Sequence, residues 1–294
     1  MAETERKWAG DTFGTAWMHK KLIGMLRHTD VRVFYAFTAL FVVPPCLIFG
    51  KSRRIIFHYL RHITGMGRWA ALRKTVRNHW LFSQVVVDKF AMYAGKRFEV
   101  NVEGYDHYKH LEAQPEGFVQ LSSHIGNYEI AGYTLRAERK RFNALVFGGE
   151  KGSVMEERNR MFSRDNIRLI PVADDMSHLF TVNSALADGE CVSMPADRIF
   201  GSPRSIEVSL LGHKARLPLG PFLVPALRNL DVLAVNVMKT GTLRYTAYVQ
   251  PLAYDKQVPT RVKAKQLAQA YVAELERMLR RYPEQWYNFF DFWE

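Results

Sequence analysis

The sequence predicts an α/β fold: a mixed sheet flanked by helices, preceded by an N-terminal helical membrane-anchor region. From Phe98 onward, short apolar runs of strand length alternate with segments that have helical spacing. Before that point lies the longest uninterrupted apolar run, residues 33–49, with basic residues on both sides. We therefore divide the chain into a membrane-associated helical region, residues 1–96, and an α/β region, residues 97–294.

Composition narrows the class of protein. A chain of 294 residues is long enough for one large domain with a generous core. The net charge of +12 predicts attraction to polyanions, either an anionic membrane or nucleic acid. Cys46 and Cys191 are too few for a disulfide framework, which indicates a reducing compartment. The histidines have no zinc-ligand spacing, so we expect no metal site.

The apolar run is too short for a comfortable membrane span. As a straight helix it would reach ~25 Å, less than the ~30 Å hydrocarbon core. Pro44 and Pro45 are expected to break the helix near its end. Basic residues before and after the run leave its orientation undecided. We interpret it as a re-entrant or half-buried anchor, with a buried helix of a soluble protein as the alternative.

Residues 52–96 have helical spacing and a strongly basic polar face. A solvated helix face would explain this charge. We favour binding to anionic lipid, because the basic face adjoins the apolar run.

Eight strands and five helices are predicted beyond that point, with no linker or internal repeat. The strands are residues 98–102, 118–121, 143–147, 167–172, 191–196, 206–211, 232–238 and 244–250. The helices are residues 127–136, 153–163, 176–187, 221–230 and 261–281.

The most informative stretch follows the strand at residues 118–121. Gly126 and the two preceding serines favour a turn, which places His124 between strand and helix, with Glu129 about one turn into the helix. The carboxyl ends of strands are where open α/β sheets place their sites. If Glu129 folds back, its carboxylate fixes the imidazole tautomer, and the other ring nitrogen can take a proton from a hydroxyl. A chance pair is the alternative.

Four segments resemble one family in the same order. His124-x-x-x-x-Glu129 resembles an acyltransferase motif, and its setting, HIGNYE, is similar to the late lipid A acyltransferases, the bacterial lauroyl- and myristoyltransferases. The later segments are residues 195–201 (PADRIFG), 211–220 (LGHKARLPLG) and 282–286 (YPEQW). The resemblance runs from about Arg53 to the end of the sequence.

The resemblance implies a membrane-associated acyltransferase with a glycerolipid-acyltransferase-like fold. It would move a fatty acyl chain from an acyl carrier protein or coenzyme A thioester to a hydroxyl or amine of a lipid, with a lipid A precursor as the leading acceptor. His124 would be the general base and Glu129 its orienting group, while Asn127 and backbone N–H groups would stabilise the oxyanion. The location would be the cytoplasmic face of a bacterial inner membrane. No cofactor beyond the thioester co-substrate is implied.

Arginines supply the candidate substrate-binding residues, because the guanidinium fork matches phosphate oxygens. A solvated helix face is the alternative for the cluster after the 143–147 strand, in which we prefer Arg164. Asp197 and Arg198 follow a strand and Arg204 lies in the next loop, and we predict that all three bind substrate, through its phosphates or sugar hydroxyls. A local turn ion pair is the alternative for Asp197 and Arg198. The full arginine cluster is Arg158, Arg160, Arg164 and Arg168.

Two departures from the family pattern leave the acceptor open. The family often has an arginine after the second strand, where Gly148 and Gly149 follow Phe147 here. Residues 288–293 (NFFDFW) replace a terminus that tends to be basic in the family. A lysophospholipid, an amino-acid lipid or a polyene lipid therefore remains possible as acceptor. A non-catalytic basic protein that binds membranes or nucleic acid would explain the charge but not the ordered motifs, so no nucleic-acid partner is expected.

Overall fold

A computed structural model describes residues 14–131, 135, 139–146, 148–149, 152–162, 166–173, 175–199 and 204–293 of the chain. The strands are β1 Glu99–Glu103, β2 Phe118–Ser122, β3 Phe142–Val146, β4 Ile167–Pro171, β5 Cys191–Pro195, β6 Ser205–Leu210, β7 His213–Pro218, β8 Val232–Lys239 and β9 Arg244–Pro251. The helices are α1 Ala16–His28, α2 Val31–Phe37, α3 Val43–Phe49, α4 Ser52–His58, α5 Arg68–Tyr93, α6 Tyr105–Ala113, α7 Gly152–Phe162, α8 His178–Ala187, α9 Gly220–Arg228 and α10 Thr260–Arg281.

In the part of the chain that the structure describes, seven strands form one mixed sheet in the order β1-β9-β8-β2-β5-β3-β4, while β6 and β7 form a separate antiparallel hairpin. Within the large sheet β8 and β9 pair antiparallel, and the other neighbours pair parallel. The carboxyl ends of β2, β3, β4, β5 and β8 therefore lie along one edge. This confirms the predicted α/β class with a mixed sheet flanked by helices.

Both faces of the sheet are covered, because alternate residues of its central strands are apolar on either side. In β8, Val232 and Ala234 pack into a core that includes residues of α8, α9 and α10. Leu233 and Val235 pack into the opposite core, with residues of α6 and the last turns of α5. A third cluster joins α1, α2, α5 and α7. Side chains of α5 enter all three clusters, across the predicted boundary at residues 96 and 97.

Among the described residues, one helical segment, Val31–Phe49, is long and apolar enough to cross a membrane. Only 17% of it is buried, so it is not a core helix. Contrary to our expectation, Pro44 and Pro45 do not end the helical segment. Between α2 and α3, residues Thr38–Val42 form a π-helical turn, and Pro44 and Pro45 then occupy the first turn of α3. Proline is tolerated there because the first helical N–H groups have no partner within the helix.

Three local predictions differ from the structure. The helix expected over 127–136 begins with a 3₁₀ turn at Tyr128–Ile130, and most of the remainder lies outside the described residues. Residues 212–220, where we predicted no strand, contain β7, because Leu211 and Gly212 adopt positive φ and turn the chain back onto β6. Helix α6 was not predicted.

Candidate active site

The site begins where two neighbouring parallel strands end. Ser122 of β2 pairs in register with Pro195 of β5, so His124 and Asp197 each lie two residues beyond the paired ends. The Asp197 Oδ1 atom is 2.7 Å from His124 Nδ1, and Oδ2 accepts the backbone N–H of His124 at 2.8 Å. One carboxylate therefore fixes both the ring and the backbone of the histidine.

The ionisation of Asp197 decides which nitrogen of His124 carries the proton. Asp197 is completely buried, while the His124 side chain is 20% exposed. Burial raises the pKa of Asp197, but His124 and then Arg198 outweigh it and hold that pKa below its ordinary value. An ionised carboxylate only accepts hydrogen bonds, so His124 Nδ1 carries the proton and Nε2 is the basic nitrogen. The arrangement can take a proton from a substrate hydroxyl or amine at Nε2.

The turn that carries His124, residues 122–127, is held by backbone contacts on two sides. The Gly126 N–H donates to the Gln285 carbonyl at 2.8 Å, and the Tyr287 N–H donates to the His124 carbonyl at 3.1 Å. Gly126 has φ +64°, and an added Cβ would overlap the carbonyl oxygen of Val237. Glycine is needed here both for this φ and for the close approach to β8. We call residues 122–127 the histidine turn.

Asn127, the last residue of the histidine turn, fixes the turn to β8 and β9. Its backbone N–H donates to the Val237 carbonyl at 2.7 Å, and its side-chain amide donates to the Tyr245 hydroxyl at 3.4 Å. Only 3% of the residue is exposed. These contacts place Asn127 in the scaffold of the turn, and its expected role at an oxyanion stays a prediction.

Glu129 does not orient His124, and this corrects the expectation from the five-residue spacing. Its carboxylate forms an ion pair with Arg158 of α7, lies 3.3 Å from Lys89 of α5, and accepts the Tyr93 hydroxyl at 3.0 Å. The 3₁₀ turn directs Glu129 towards α5 and α7, whereas β5 brings Asp197 to the imidazole. Burial opposes ionisation of Glu129, but Arg158 and then Lys89 outweigh it and lower its pKa to about 2.

A cavity of about 2100 Å³ opens beside these residues, and His124, Glu129 and Arg158 lie in its wall. Most of the remaining wall is apolar and comes from several parts of the chain. Representative residues are Trp17 and Met25 of α1, Phe37 of α2, Cys46 of α3, Leu223 and Leu227 of α9, and Phe289 and Phe290 near the end of the sequence. A polar, charged end thus adjoins a long apolar space.

The predicted arginines occupy different places. Arg198 lies in the cavity wall, donates to the Tyr287 carbonyl at 2.7 Å, and stacks 5.6 Å from the Phe290 ring. Arg204 is exposed and also lines the cavity. Arg158 is buried, while Arg168 is exposed on β4. Arg164 lies outside the described residues, and nothing is described of the Arg160 side chain.

Three site residues escaped the sequence analysis. Lys89 and Tyr93 belong to a helix whose spacing gave no reason to single them out, although they are four residues apart on one face. Arg158 was noticed only as a member of an arginine cluster. Its pairing with Glu129 depends on how α7 packs against α5 and the sheet, which spacing along the chain does not reveal. Within the described residues there is no group of three or more potential metal ligands.

Comparison with known proteins decides the family. The chain matches the sequence profile described as "Bacterial lipid A biosynthesis acyltransferase" over residues 84–294. The chain belongs to this family. It is therefore an acyltransferase, as the ordered motifs predicted, and the non-catalytic alternative is set aside. No curated protein sequence matches it.

Among solved structures, the chain is similar to the 1-acyl-sn-glycerophosphate acyltransferase PlsC from Thermotoga maritima. The two are 14% identical, with a TM-score of 0.38, over 93% of this chain and all of the other. The assignment of this lipid A biosynthesis acyltransferase family member rests on the sequence profile, and its α/β class rests on the topology described above.

Proposed function

We propose that this acyltransferase moves a fatty acyl chain from a thioester donor to a hydroxyl or amine of a lipid acceptor at a membrane. The observation that carries the proposal is the His124–Asp197 pair, 2.7 Å apart, at the charged end of a large apolar cavity. The donor would be acyl carrier protein or coenzyme A carrying the acyl chain. A lipid A precursor is the leading acceptor, since the chain belongs to that family.

The reaction we propose uses the two nitrogens of His124 for different tasks. Nε2 takes the proton from the acceptor hydroxyl or amine as the acceptor atom attacks the thioester carbonyl carbon. Nδ1–H donates to the buried Asp197 carboxylate, which stabilises the imidazolium that forms. When the C–S bond breaks, the imidazolium returns the proton to the departing thiolate. The substrate supplies the nucleophile, and the protein forms no covalent intermediate.

Three charged groups support a phosphate-bearing substrate. Lys89 and Arg158 lie in the cavity wall, where both contact the carboxylate of Glu129. Arg204 adds a third cation at the wall. Lipid head groups and the phosphopantetheine arm of a thioester donor both offer phosphate. We propose that Arg204, together with Arg164, contacts these oxygens.

The apolar face of Val31–Phe49 supports a membrane location for the reaction. Large side chains there are more than half exposed, including Leu40 at 69% and Phe49 at 84%. Exposed apolar groups on this scale are expected to be covered by lipid. We propose that the protein lies at a bacterial inner membrane with its α/β region on the cytoplasmic side, where thioester donors are found.

Another lipid acceptor is the second candidate, and one observation favours it. Where the family tends to be basic near its end, this chain places Tyr287, Phe289 and Phe290 in the cavity wall. Aromatic groups at this position suit an acceptor with fewer phosphates than a lipid A precursor. A lysophospholipid, an amino-acid lipid and a polyene lipid all fit that description.

The test is acyl transfer by purified protein in mixed micelles. Each donor, acyl carrier protein or coenzyme A thioester, is paired with each acceptor, and products are identified by mass spectrometry. We expect one donor and acceptor pair to give an acylated lipid whose formation requires His124. Lipids from cells with and without the protein should differ by the same product. If no tested lipid gains an acyl chain, or if His124→Ala transfers equally well, the proposal is wrong.

A further inference from the structure

A buried cluster formed by Asp88, Lys239, Tyr35 and Tyr245 lies next to the histidine turn. Asp88 of α5 is fully buried, and the side chain of Lys239, the last residue of β8, is 2% exposed. Lys239 Nζ lies 2.6 Å from Asp88 Oδ2. The hydroxyls of Tyr35 and Tyr245 both donate to the Asp88 carboxylate. The ammonium also lies over both tyrosine rings, 4.9 Å and 4.8 Å from their centroids.

Such a cluster needs an explanation beyond stability. Removing two opposite charges from water costs nearly as much as their attraction returns, so apolar residues could often fill the same space equally well. Burial by itself raises the pKa of Asp88 and lowers that of Lys239. The two tyrosine hydroxyls and the ring faces offset this cost. What the cluster adds is a fixed geometry, because each hydrogen bond allows few arrangements.

Two routes connect the cluster to the histidine turn. Tyr245, which donates to Asp88, accepts the side-chain amide of Asn127 at 3.4 Å. The second route runs through the backbone of Lys239, whose N–H and carbonyl are both bound by the Gln285 side chain, at 2.9 and 2.8 Å. The carbonyl of the same Gln285 accepts the Gly126 N–H. Gly126, through its N–H, and Asn127, through its side chain, are thus each bound to a residue that contacts the cluster.

The other end of the cluster lies in the apolar segment. Tyr35 belongs to α2, and its neighbours along the segment are exposed and apolar, Val33 at 57% and Phe37 at 54%. Tyr35 itself is 5% exposed and also donates to the Thr242 carbonyl at 3.2 Å. Three residues on, Thr38 accepts a hydrogen bond from Ser83 of α5 at 3.2 Å. One face of this segment is therefore bound to α5 and to the α/β region, while the opposite face is apolar and exposed.

We propose that Tyr35 is a positioning residue for the reaction: through Asp88, Tyr245 and Asn127 it holds the histidine turn in place, so that docking of the apolar segment and the geometry of His124 are coupled. This proposal rests on the function proposed above, because the geometry matters only if His124 acts on substrate. It gives the segment a second task besides contact with lipid. A segment displaced from α5 would loosen the turn without touching the substrate.

The test compares two tyrosine hydroxyls. Tyr35→Phe removes one hydrogen bond to Asp88 and leaves Lys239 and Tyr245 in contact with it. The control is Tyr254→Phe, which removes the donor to the Leu230 carbonyl at 2.7 Å, just before β8 begins and hence at the opposite edge of the sheet. Both variants are assayed in micelles for kcat and KM, by vesicle flotation, and by hydrogen exchange of the peptide that spans residues 120–131.

For Tyr35→Phe we expect kcat to fall about tenfold or more, since a small misplacement of catalytic groups is costly. KM and flotation should match the wild type, and amide exchange in the histidine turn should rise. Tyr254→Phe should change none of these. Equal kcat in the two variants, with unchanged exchange in the turn, would overturn the proposal. If the wild-type protein transfers no acyl chain, the proposed function fails, and the exchange measurement alone decides whether the coupling exists.

Discussion

Two buried carboxylates, Asp197 and Glu129, lie close to the histidine turn, and they contact side chains of different kinds. Asp197 contacts the imidazole of His124, which can accept a proton during a reaction. Glu129 contacts the guanidinium of Arg158 and the ammonium of Lys89, which have no site to accept a further proton. The first carboxylate therefore has a partner whose charge changes during a reaction, and the second has partners whose charges do not.

This difference gives a criterion for assigning a catalytic or a structural role to a buried carboxylate in such a site. A carboxylate beside histidine can stabilise an imidazolium as it forms, which lowers the barrier to proton transfer. A carboxylate whose charge is already balanced by a guanidinium and an ammonium stabilises a developing positive charge only weakly. Its contribution is to hold two cations at the cavity. The four predictions below test this division, from the largest expected effect to the smallest.

Replacing the histidine should have the largest effect. His124→Ala removes the proposed base, and we expect acyl transfer to fall by ~10²–10⁴-fold, the usual worth of general-base catalysis. Circular dichroism and the thermal midpoint should stay close to wild type, because the ring is partly exposed and its removal leaves most of the core intact. A folded variant with near wild-type kcat would remove His124 from the reaction.

Replacing its carboxylate partner should come next. Asp197→Asn keeps the shape and presents a neutral amide to Nδ1, so the imidazolium loses its counter-charge and the ring loses its fixed tautomer. We expect kcat to fall by about 100-fold or more, with KM for donor and acceptor little changed. Combined with His124→Ala, the substitution should add almost nothing, because the two residues act as one unit. Additive losses would mean that Asp197 acts independently of His124.

Glu129→Gln should lower stability more than catalysis. It removes the carboxylate that pairs with the buried Arg158 and with Lys89, and breaking one side of a buried ion pair costs ~3–5 kcal/mol. Urea unfolding measures that loss, and kcat per folded molecule should fall less than in Asp197→Asn. Arg158→Met in the same chain should restore part of the stability, since it removes the more deeply buried of the two cations. If instead kcat collapses while stability is unchanged, Glu129 orients the base as its spacing from His124 suggested.

The smallest expected effect is the loss of stability at acidic pH that the protonation of Glu129 causes. The pKa of Glu129 is lowered to about 2 from an ordinary 4.5, so its stabilisation is complete above pH 4.5 and is lost as pH falls towards 2. The difference corresponds to about 3 kcal/mol. Urea midpoints measured across this range should fall more steeply with pH in the wild type than in Glu129→Gln. Parallel curves would show that Glu129 titrates alike in the folded and unfolded chain.

Much of the fold could be predicted because its signals are local. All eight predicted strands exist within about one residue of their expected bounds, and the strand at 213–218 was missed because its charged residues hide the alternation. His124 was found because a buried strand followed by serine and glycine marks a turn at a strand end. These features depend on neighbours in sequence, which a single chain displays directly.

The partner of His124 could not be predicted, because it depends on strand order. We assigned Asp197 to substrate binding from its place at a strand end, because nothing in the sequence states that β5 lies beside β2 while β3, nearer in sequence, lies one strand farther away. Five-residue spacing made Glu129 the obvious candidate. A spacing argument assumes a regular helix, and the 3₁₀ turn at 128–130 breaks that assumption.

The two cysteines offer a practical consequence of the cavity's construction. Cys191 is fully buried in β5, where burial raises the pKa of its thiol, whereas Cys46 is exposed and lies in the cavity wall on α3. A maleimide fluorophore should therefore attach at a single position without any engineered substitution. Its emission would report on the polarity of the space beside the apolar segment. Titrating a thioester donor against this label would follow binding directly, even in a variant that cannot turn over.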